Sequence, residues 1–306
     1  MFSAASFNHL TRSSLRFYST AANIKNVGVI GAGQMGSGIA QVLSQTAKRN
    51  VIIVDQSQAM LEKSQKLINS LLTKGVEKGK IAEADKLATL QRISFTNDIK
   101  NLAQADFVIE AIVENTEVKC NLFKDLAKIC RPDAILASNT SSISITKIAA
   151  ATPNPDKVIG MHFMNPVPVM QLVEIISGLQ TSDDTHKITL DLAKDMGKVT
   201  TNAKDIPGFI ANRLLMPYIN EAVQAFYEGI GTVQDIDTTM KLGCNMPMGP
   251  LTLGDFIGLD TCLSIMNVLH SQLGDSKYRP CPLLVKYVEA GRLGKKSGRG
   301  FYTYDK

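Results

Sequence analysis

The chain lacks tryptophan altogether, has only four histidines, and carries no acidic residue before Asp55. Its five cysteines, Cys120, Cys130, Cys244, Cys262 and Cys281, form no close pair. That spacing excludes a disulfide framework and the C-x-x-C pattern of a structural metal site, so no metal is expected. No apolar run approaches the roughly 18 residues of a membrane-spanning helix, so no transmembrane segment is expected. A strong excess of either charge is missing as well. The net charge is +5, and Arg12 and Arg16 near the start leave +3 for the remainder (5 − 2). The lysines near 74–80 and 295–299 lack the aromatic interleaving of nucleic-acid modules, so nucleic acid is excluded as a partner. What remains is an ordinary globular composition in a chain of 306 residues, long enough for two cores.

The acid-free start has its own character. Residues 1–22 are rich in Ser, Ala and Thr, with Arg12 and Arg16 set among Leu10, Leu15 and Phe17. Such a segment reads as a mitochondrial transit peptide, and it lacks the continuous apolar core of a secretory signal. Arg16-Phe17-Tyr18-Ser19 resembles a matrix-protease cleavage context with the cut after Tyr18. The expected destination is the mitochondrial matrix.

After the leader, 26-NVGVI-30 reads as a short apolar strand. Gly31-Ala32-Gly33-Gln34-Met35-Gly36 follows and opens a helix, then 51-VIIVD-55 reads as a second strand ending on an acid. A G-x-G-x-x-G run alone is weak evidence. Between a strand and a helix, with a carboxylate about twenty residues on, it predicts a dinucleotide site. Gly31 permits the tight turn, Gly33 lets the backbone approach a pyrophosphate, and Gly36 lets helix and strand pack closely. Asp55 is placed to accept hydrogen bonds from the adenine ribose and to repel a 2′-phosphate, which favours NAD over NADP. Residues 57–81 read as a helical excursion bearing Lys74, Lys78 and Lys80. The sheet resumes with 107-FVIEAIVEN-115, the helix 116–130 and the strand 134-AILASNTSS-142. This alternation predicts a Rossmann-type doubly wound α/β domain, with Glu110, Glu114, Asn139, Thr140, Ser141 and Ser142 at the carboxyl ends of its strands, near the nicotinamide end of a bound dinucleotide.

In 158-VIGMHFMNPVPVMQLVEII-176, two apolar strand-like runs flank a Pro-rich bend, and each carries one ionisable residue, His162 and Glu174. A buried carboxylate without a partner costs several kcal/mol, so each residue needs the other. A structural His–Glu contact satisfies that need, and so does the orienting half of a general-base dyad. His9 lies in the leader, and His186 and His270 lie in polar-flanked helical stretches, so His162 is the one imidazole in an apolar strand. Within 204–226 the Asp205-Ile206-Pro207-Gly208 break leads into a long helical pattern, and the remainder is helix-rich. The domain boundary is placed there: 24–205 as the NAD-binding domain, 206–306 as an all-α domain.

Several motifs together resemble the L-3-hydroxyacyl-CoA dehydrogenases: G-A-G-Q-M-G-S-G-I-A, E-A-I-V-E-N, A-S-N-T-S-S, H-F-M-N-P-V-P-V-M-Q-L-V-E-I, K-D-I-P-G-F-I-A-N-R-L-L-M-P-Y, M-P-M-G-P and G-K-K-S-G-R-G-F-Y. The resemblance runs from about residue 24 to the C-terminus, to the stand-alone mitochondrial enzymes and the bacterial 3-hydroxybutyryl-CoA dehydrogenases. It implies NAD-dependent oxidation of L-3-hydroxyacyl-CoA to 3-ketoacyl-CoA in β-oxidation, by a homodimer. By this resemblance His162 is the catalytic base, Glu174 its partner, Ser141 a residue touching substrate and nicotinamide, and Asn212 a holder of the substrate oxygen. Gln34 and Met35 fall in the cofactor loop, while Asn165, Glu114, Lys119 and Lys296 match positions at the cofactor. The lysine-bearing helix is where the family holds CoA, with Lys78 as one contact. Leu71, or less well Ser70, stands where the family often has a serine. Two related readings stay open: a crystallin-type sugar-acid dehydrogenase, and an NADP-using 3-hydroxybutyryl-CoA dehydrogenase. A catalytically silent relative of the same fold is the reading from another class.

Overall fold

A computed structural model describes residues 23–304; the expected transit peptide at 1–22 lies outside the described residues. Strands β1 (Asn26–Ile30), β2 (Asn50–Val54), β3 (Ile93–Thr96), β4 (Phe107–Glu110), β5 (Ile135–Ser138), β6 (Val158–Phe163), β7 (Leu172–Ser177) and β8 (Val199–Lys204) build one sheet. Their order is β3-β2-β1-β4-β5-β6-β7-β8, parallel throughout except for the antiparallel pair β6–β7. The intervening helices are α1 (Gln34–Gln45), α2 (Gln58–Glu77), α3 (Glu83–Gln91), α4 (Thr116–Ile129), α5 (Ile145–Ala149) and α6 (Asp183–Asp195). This is the doubly wound α/β architecture expected from the strand–helix alternation.

Strand alternation sorts the sheet into two apolar layers. On one face Val27, Val29, Ile53, Phe107, Ile109, Met161, Val173 and Ile175 pack with Ile39 and Leu43 of α1, Ile68 of α2 and Leu192 of α6. On the other, Ile30, Val54, Val108, Leu136, Val158 and Ile176 pack with Phe123 of α4 and Ile145 of α5. His162 and Glu174 fall on this second face by their spacing from Val158 and Ile176. Gly160 lies between: a Cβ there would come within 2.9 Å of Ile145, so α5 seals the sheet up to that point.

The chain after the sheet is helical: α7 (Ala211–Tyr227), α8 (Val233–Thr238), α9 (Pro250–Ile257), α10 (Leu259–Leu273) and α11 (Pro282–Glu289). They enclose a separate core of Met216, Ile219, Val223, Leu251, Leu259, Met266, Leu269 and Leu284.

Several expected bounds shift, each for a local reason. The strand read over 107–115 ends at Glu110, whose side chain accepts the Ile112 amide at 2.7 Å and turns the chain out of the sheet. The strand read over 134–142 likewise stops at Ser138. The helical pattern expected after the Pro207-Gly208 break begins at Ala211, because Gly208 (φ 81°) and Phe209 (φ 48°) hold left-handed backbone. Strand β8 escapes sequence reading because V-T-T-N-A-K is an edge strand with only Ala203 buried, so its pattern is polar.

Candidate active site

His162 and Glu174 are direct partners in the β6–β7 register. Antiparallel pairing places facing side chains on one surface of the sheet, within reach of each other. The His162 Nδ1 lies 2.7 Å from Glu174 Oε2, and the two residues are 8% and 1% exposed. The other carboxylate oxygen, Oε1, accepts the amides of Ile210 and Ala211 at 3.0 Å each. Glu174 thus sits against the N-terminus of α7, where free amides and the helix dipole favour an anion. Burial pushes the Glu174 carboxyl up. The His162 hydrogen bond, the Ala211 amide, the imidazole charge and the Ile210 amide together outweigh burial and hold it below the ordinary carboxylate range. An ionised Glu174 only accepts hydrogen bonds, so the proton between the pair belongs to Nδ1 and the lone pair of a neutral ring to Nε2. Phe209 tilts against the imidazole with centroids 5.8 Å apart.

The same first turn of α7 reaches a second cluster. Asn212 Nδ2 donates to the Ser141 carbonyl at 3.4 Å. The Ser141 amide and hydroxyl both donate to Glu114 Oε1, at 2.8 and 3.1 Å, and Thr140 Oγ1 donates to the same oxygen at 2.6 Å. Burial raises the Glu114 carboxyl, but Lys119 beside it and the donors from Thr140 and Ser141 bring it below the ordinary range. Lys119 is 1% exposed and bridges Glu110 Oε1 at 2.5 Å and Glu114 Oε2 at 3.4 Å. In this structure Lys119 is therefore a buried counter-ion that joins the end of β4, at Glu110, to Glu114 in the segment after it.

The glycine-rich loop closes the third side. Gly31 (φ 101°) needs its missing side chain, since a Cβ would meet the Ala111 carbonyl oxygen at 2.5 Å. At Gly36 a Cβ would fall 1.8 Å from the Gly31 carbonyl oxygen. Gly33, which caps α1, faces nothing within 4 Å. Two glycines serve the fold, and the third leaves open space before a helix N-terminus, as a bound phosphate requires. Asp55 Oδ2 accepts the Ala32 amide at 2.8 Å and Oδ1 the Ser57 amide at 2.9 Å, so the acid also shapes the loop. Gln34 Nε2 donates to Asn165 Oδ1 at 3.0 Å, joining the loop to the bend after β6. Met35 packs partly into the core beneath. These features fit a dinucleotide.

The Lys296 ammonium is held by Asp260 at 2.6 Å beside Gly258, within the helical half of the chain, and makes no recorded bond to the glycine loop among the described residues. Lys78 lies exposed at the end of α2, and Leu71 is exposed on the same helix.

Glu110, expected among the residues at the strand ends, accepts from Ser138 Oγ at 2.6 Å and ties β4 to β5. Two further contributors, Asp205 and the first amides of α7, have no site role from sequence. Asp205 caps α5 through Ser144 Oγ and the Ile145 and Thr146 amides, at 2.8, 2.9 and 2.8 Å. The Ile210 and Ala211 amides carry no sequence signal, since every helix start has them; the acid of K-D-I-P-G was a legible hint for Asp205.

Residues 26–206 match the family model "3-hydroxyacyl-CoA dehydrogenase, NAD binding domain" and residues 208–304 match "3-hydroxyacyl-CoA dehydrogenase, C-terminal domain". The chain is 56% identical over 282 residues to a probable 3-hydroxybutyryl-CoA dehydrogenase of Bacillus subtilis, covering 92% of this chain and 98% of that protein. It is 46% identical over 289 residues to the human "Hydroxyacyl-coenzyme A dehydrogenase, mitochondrial", covering 92% and 91%. The crystal structure of (S)-3-hydroxybutyryl-CoA dehydrogenase from Ralstonia eutropha superposes with a TM-score of 0.90 at 49% identity, covering 92% of this chain and 100% of that one. The chain belongs to the 3-hydroxyacyl-CoA dehydrogenase family, and its first half is that family's NAD-binding domain.

Proposed function

We propose that this member of the 3-hydroxyacyl-CoA dehydrogenase family oxidises L-3-hydroxyacyl-CoA to 3-ketoacyl-CoA with NAD, in fatty-acid β-oxidation, using His162 as the general base. The observation that carries this reading is the buried His162–Glu174 pair, anchored on the first turn of α7. Similarity to hydroxyacyl-CoA and hydroxybutyryl-CoA dehydrogenases supports the substrate class.

The roles follow from the bonds. Glu174 accepts the Nδ1 proton and leaves Nε2 free to take the proton of the substrate's 3-hydroxyl. As the ring becomes charged, the carboxylate 2.7 Å away balances it. In the reverse direction the imidazolium protonates the 3-keto oxygen. Asn212 and Ser141, linked by the bond from the Asn212 side chain to the Ser141 carbonyl, are assigned to hold the oxygen being oxidised or reduced. Bound NAD supplies the hydride acceptor. Gly33 and the start of α1, including Gln34 and Met35, would cradle its phosphates on the turn that Gly31 and Gly36 shape, and Asp55 would hold its ribose. Asn165 and Ser141 are assigned to the nicotinamide end. Glu114 and Lys119 support that end from behind, and Lys296 is assigned to the cofactor by family resemblance. Lys78 is assigned to a CoA phosphate.

Residues 24–205 are taken as the cofactor domain and 206–306 as the substrate and dimerisation domain of a homodimer. Matrix targeting by residues 1–22 rests on their acid-free, Arg- and Ser-rich composition and on the mitochondrial name of the human relative. A reporter fused to residues 1–25 should enter mitochondria, and a cytosolic signal would remove that part.

The activity is tested with a series of 3-ketoacyl-CoA esters, acetoacetyl-CoA first, reduced with NADH and with NADPH, beside a sugar acid oxidised with NAD. Turnover of the thioesters with NADH, without activity on the sugar acid, is the expected result. Activity confined to the sugar acid would replace the reading with a crystallin-type dehydrogenase, and a preference for NADPH would overturn the role of Asp55.

A further inference from the structure

The bend that follows His162 is held by a buried cation. Lys198 follows α6 and leads into β8, is 8% exposed, and donates from Nζ to the carbonyls of Val167 at 2.5 Å and Met170 at 2.7 Å. Among the described residues it has no carboxylate partner. A buried ammonium held only by neutral carbonyls is costly, and burial pushes its pKa below the ordinary lysine value. The two carbonyls belong to one turn, in which the Val169 and Met170 amides both donate to the Pro166 carbonyl, at 3.0 and 2.9 Å. Val167 of that turn is buried against Gly38 of α1, where a Cβ would lie 2.8 Å from the Val167 Cβ. Asn165, at its start, accepts the hydrogen bond from Gln34 of the glycine loop.

We infer that Lys198 is a positioning residue for the cofactor site: its ammonium clamps the bend at residues 165–171 and thereby fixes Asn165 against Gln34. The bend begins three residues after His162 and re-enters the sheet at β7, so its seating sets Asn165 relative to the dyad. This inference rests on the dehydrogenase reading for its kinetic consequence, but not for the clamp itself. Lys198 touches neither substrate nor cofactor residues directly; it acts through the backbone of the bend.

The test uses K198M, which keeps the aliphatic stem and removes the donors, with K198R as the conservative rescue. Amide hydrogen exchange at Val169 and Met170 should rise on the order of tenfold in K198M, the scale of losing charge-assisted bonds, and return towards wild type in K198R. Because exchange requires no turnover, it tests the clamp even if acetoacetyl-CoA is not reduced by the wild-type protein. With an active protein, K198M should raise the KM for NADH about tenfold and leave the KM for acetoacetyl-CoA within about twofold. In an N165A background K198M should add little further change, since both act on the same contact. If K198M does not fold, K198Q, which keeps N–H donors without the charge, is read for exchange and KM in the same way. Unchanged exchange, equal rises in both KM values, or additive effects with N165A would overturn the proposal.

Discussion

Glu174→Gln isolates the orienting role of the carboxylate from its role in packing. The glutamine oxygen can still accept the Ile210 and Ala211 amides, now at 3.0 Å from Glu174 Oε1, so the start of α7 keeps its cap. The other arm becomes an NH2 group facing His162 Nδ1 at 2.7 Å. A donor there forces the ring to present its lone pair at Nδ1, placing the proton on Nε2, the wrong tautomer for a base. Loss of tautomer control in the analogous Asp–His pair of serine proteases costs about 10⁴ in kcat, and a loss on the order of 10³–10⁴ is expected here. Stability should fall by only about 1–3 kcal/mol, the scale of one charge-assisted hydrogen bond. That stability difference has a defined pH dependence. The folded carboxyl lies below its ordinary 4.5, so its contribution is fully present above 4.5 and is lost as pH falls through the lower folded value. Denaturant unfolding of wild type and E174Q should therefore converge as pH drops below 4.5. Acetoacetyl-CoA reduction, followed by NADH absorbance in protein shown to bind NADH, gives the kinetic half. A kcat within about tenfold of wild type would refute the tautomer argument.

The glycine loop offers a paired test. Gly36→Ala places a Cβ 1.8 Å from the Gly31 carbonyl and should destabilise the protein by roughly 3 kcal/mol or more, whereas Gly33→Ala meets nothing within 4 Å. The latter should leave the melting temperature without cofactor unchanged while weakening NAD at least about tenfold; equal melting losses in both would contradict the open-cradle reading. Asp55→Ala removes the acceptor for the Ala32 and Ser57 amides, so NAD and NADP should both weaken while the ratio between them narrows. An unchanged ratio in binding titrations would mean that Asp55 does not read the ribose. Lys78→Ala should raise KM for CoA esters by about threefold to tenfold and leave a truncated thioester unaffected, as an exposed phosphate contact would; equal effects on the two substrates would count against it.

The α/β half was legible because its signals are local. Strand-turn-helix order around Gly31, Gly33 and Gly36 and the apolar runs of β1, β2 and β4 through β7 follow from period and turn chemistry. The His162–Glu174 pairing was legible for a different reason: two ionisable residues in apolar strands joined by one bend had few other partners. What escaped reading depends on distant segments. Polar β8 is a strand only because β7 offers it an edge, and the Ile210 and Ala211 amides matter only because a left-handed turn at Gly208 and Phe209 aims α7 at Glu174. Lys119 shows the same limit. Its helix position is readable, but its burial between Glu110 and Glu114 arises from how β4, β5 and α4 meet. The Lys296–Asp260 pair is likewise set by how two segments 36 residues apart meet, and the G-K-K motif does not announce it.

The central claim is that Nε2 of His162 moves the proton of the reacting oxygen. The most direct measurement is kcat for acetoacetyl-CoA reduction by His162→Gln, made alongside a titration of NADH binding to the same protein. The account predicts a fall in kcat of about 10²–10⁴ with NADH affinity within about threefold of wild type. Turnover close to wild type in a variant that binds NADH normally would contradict it, and would reduce the His162–Glu174 pair to a contact in the core.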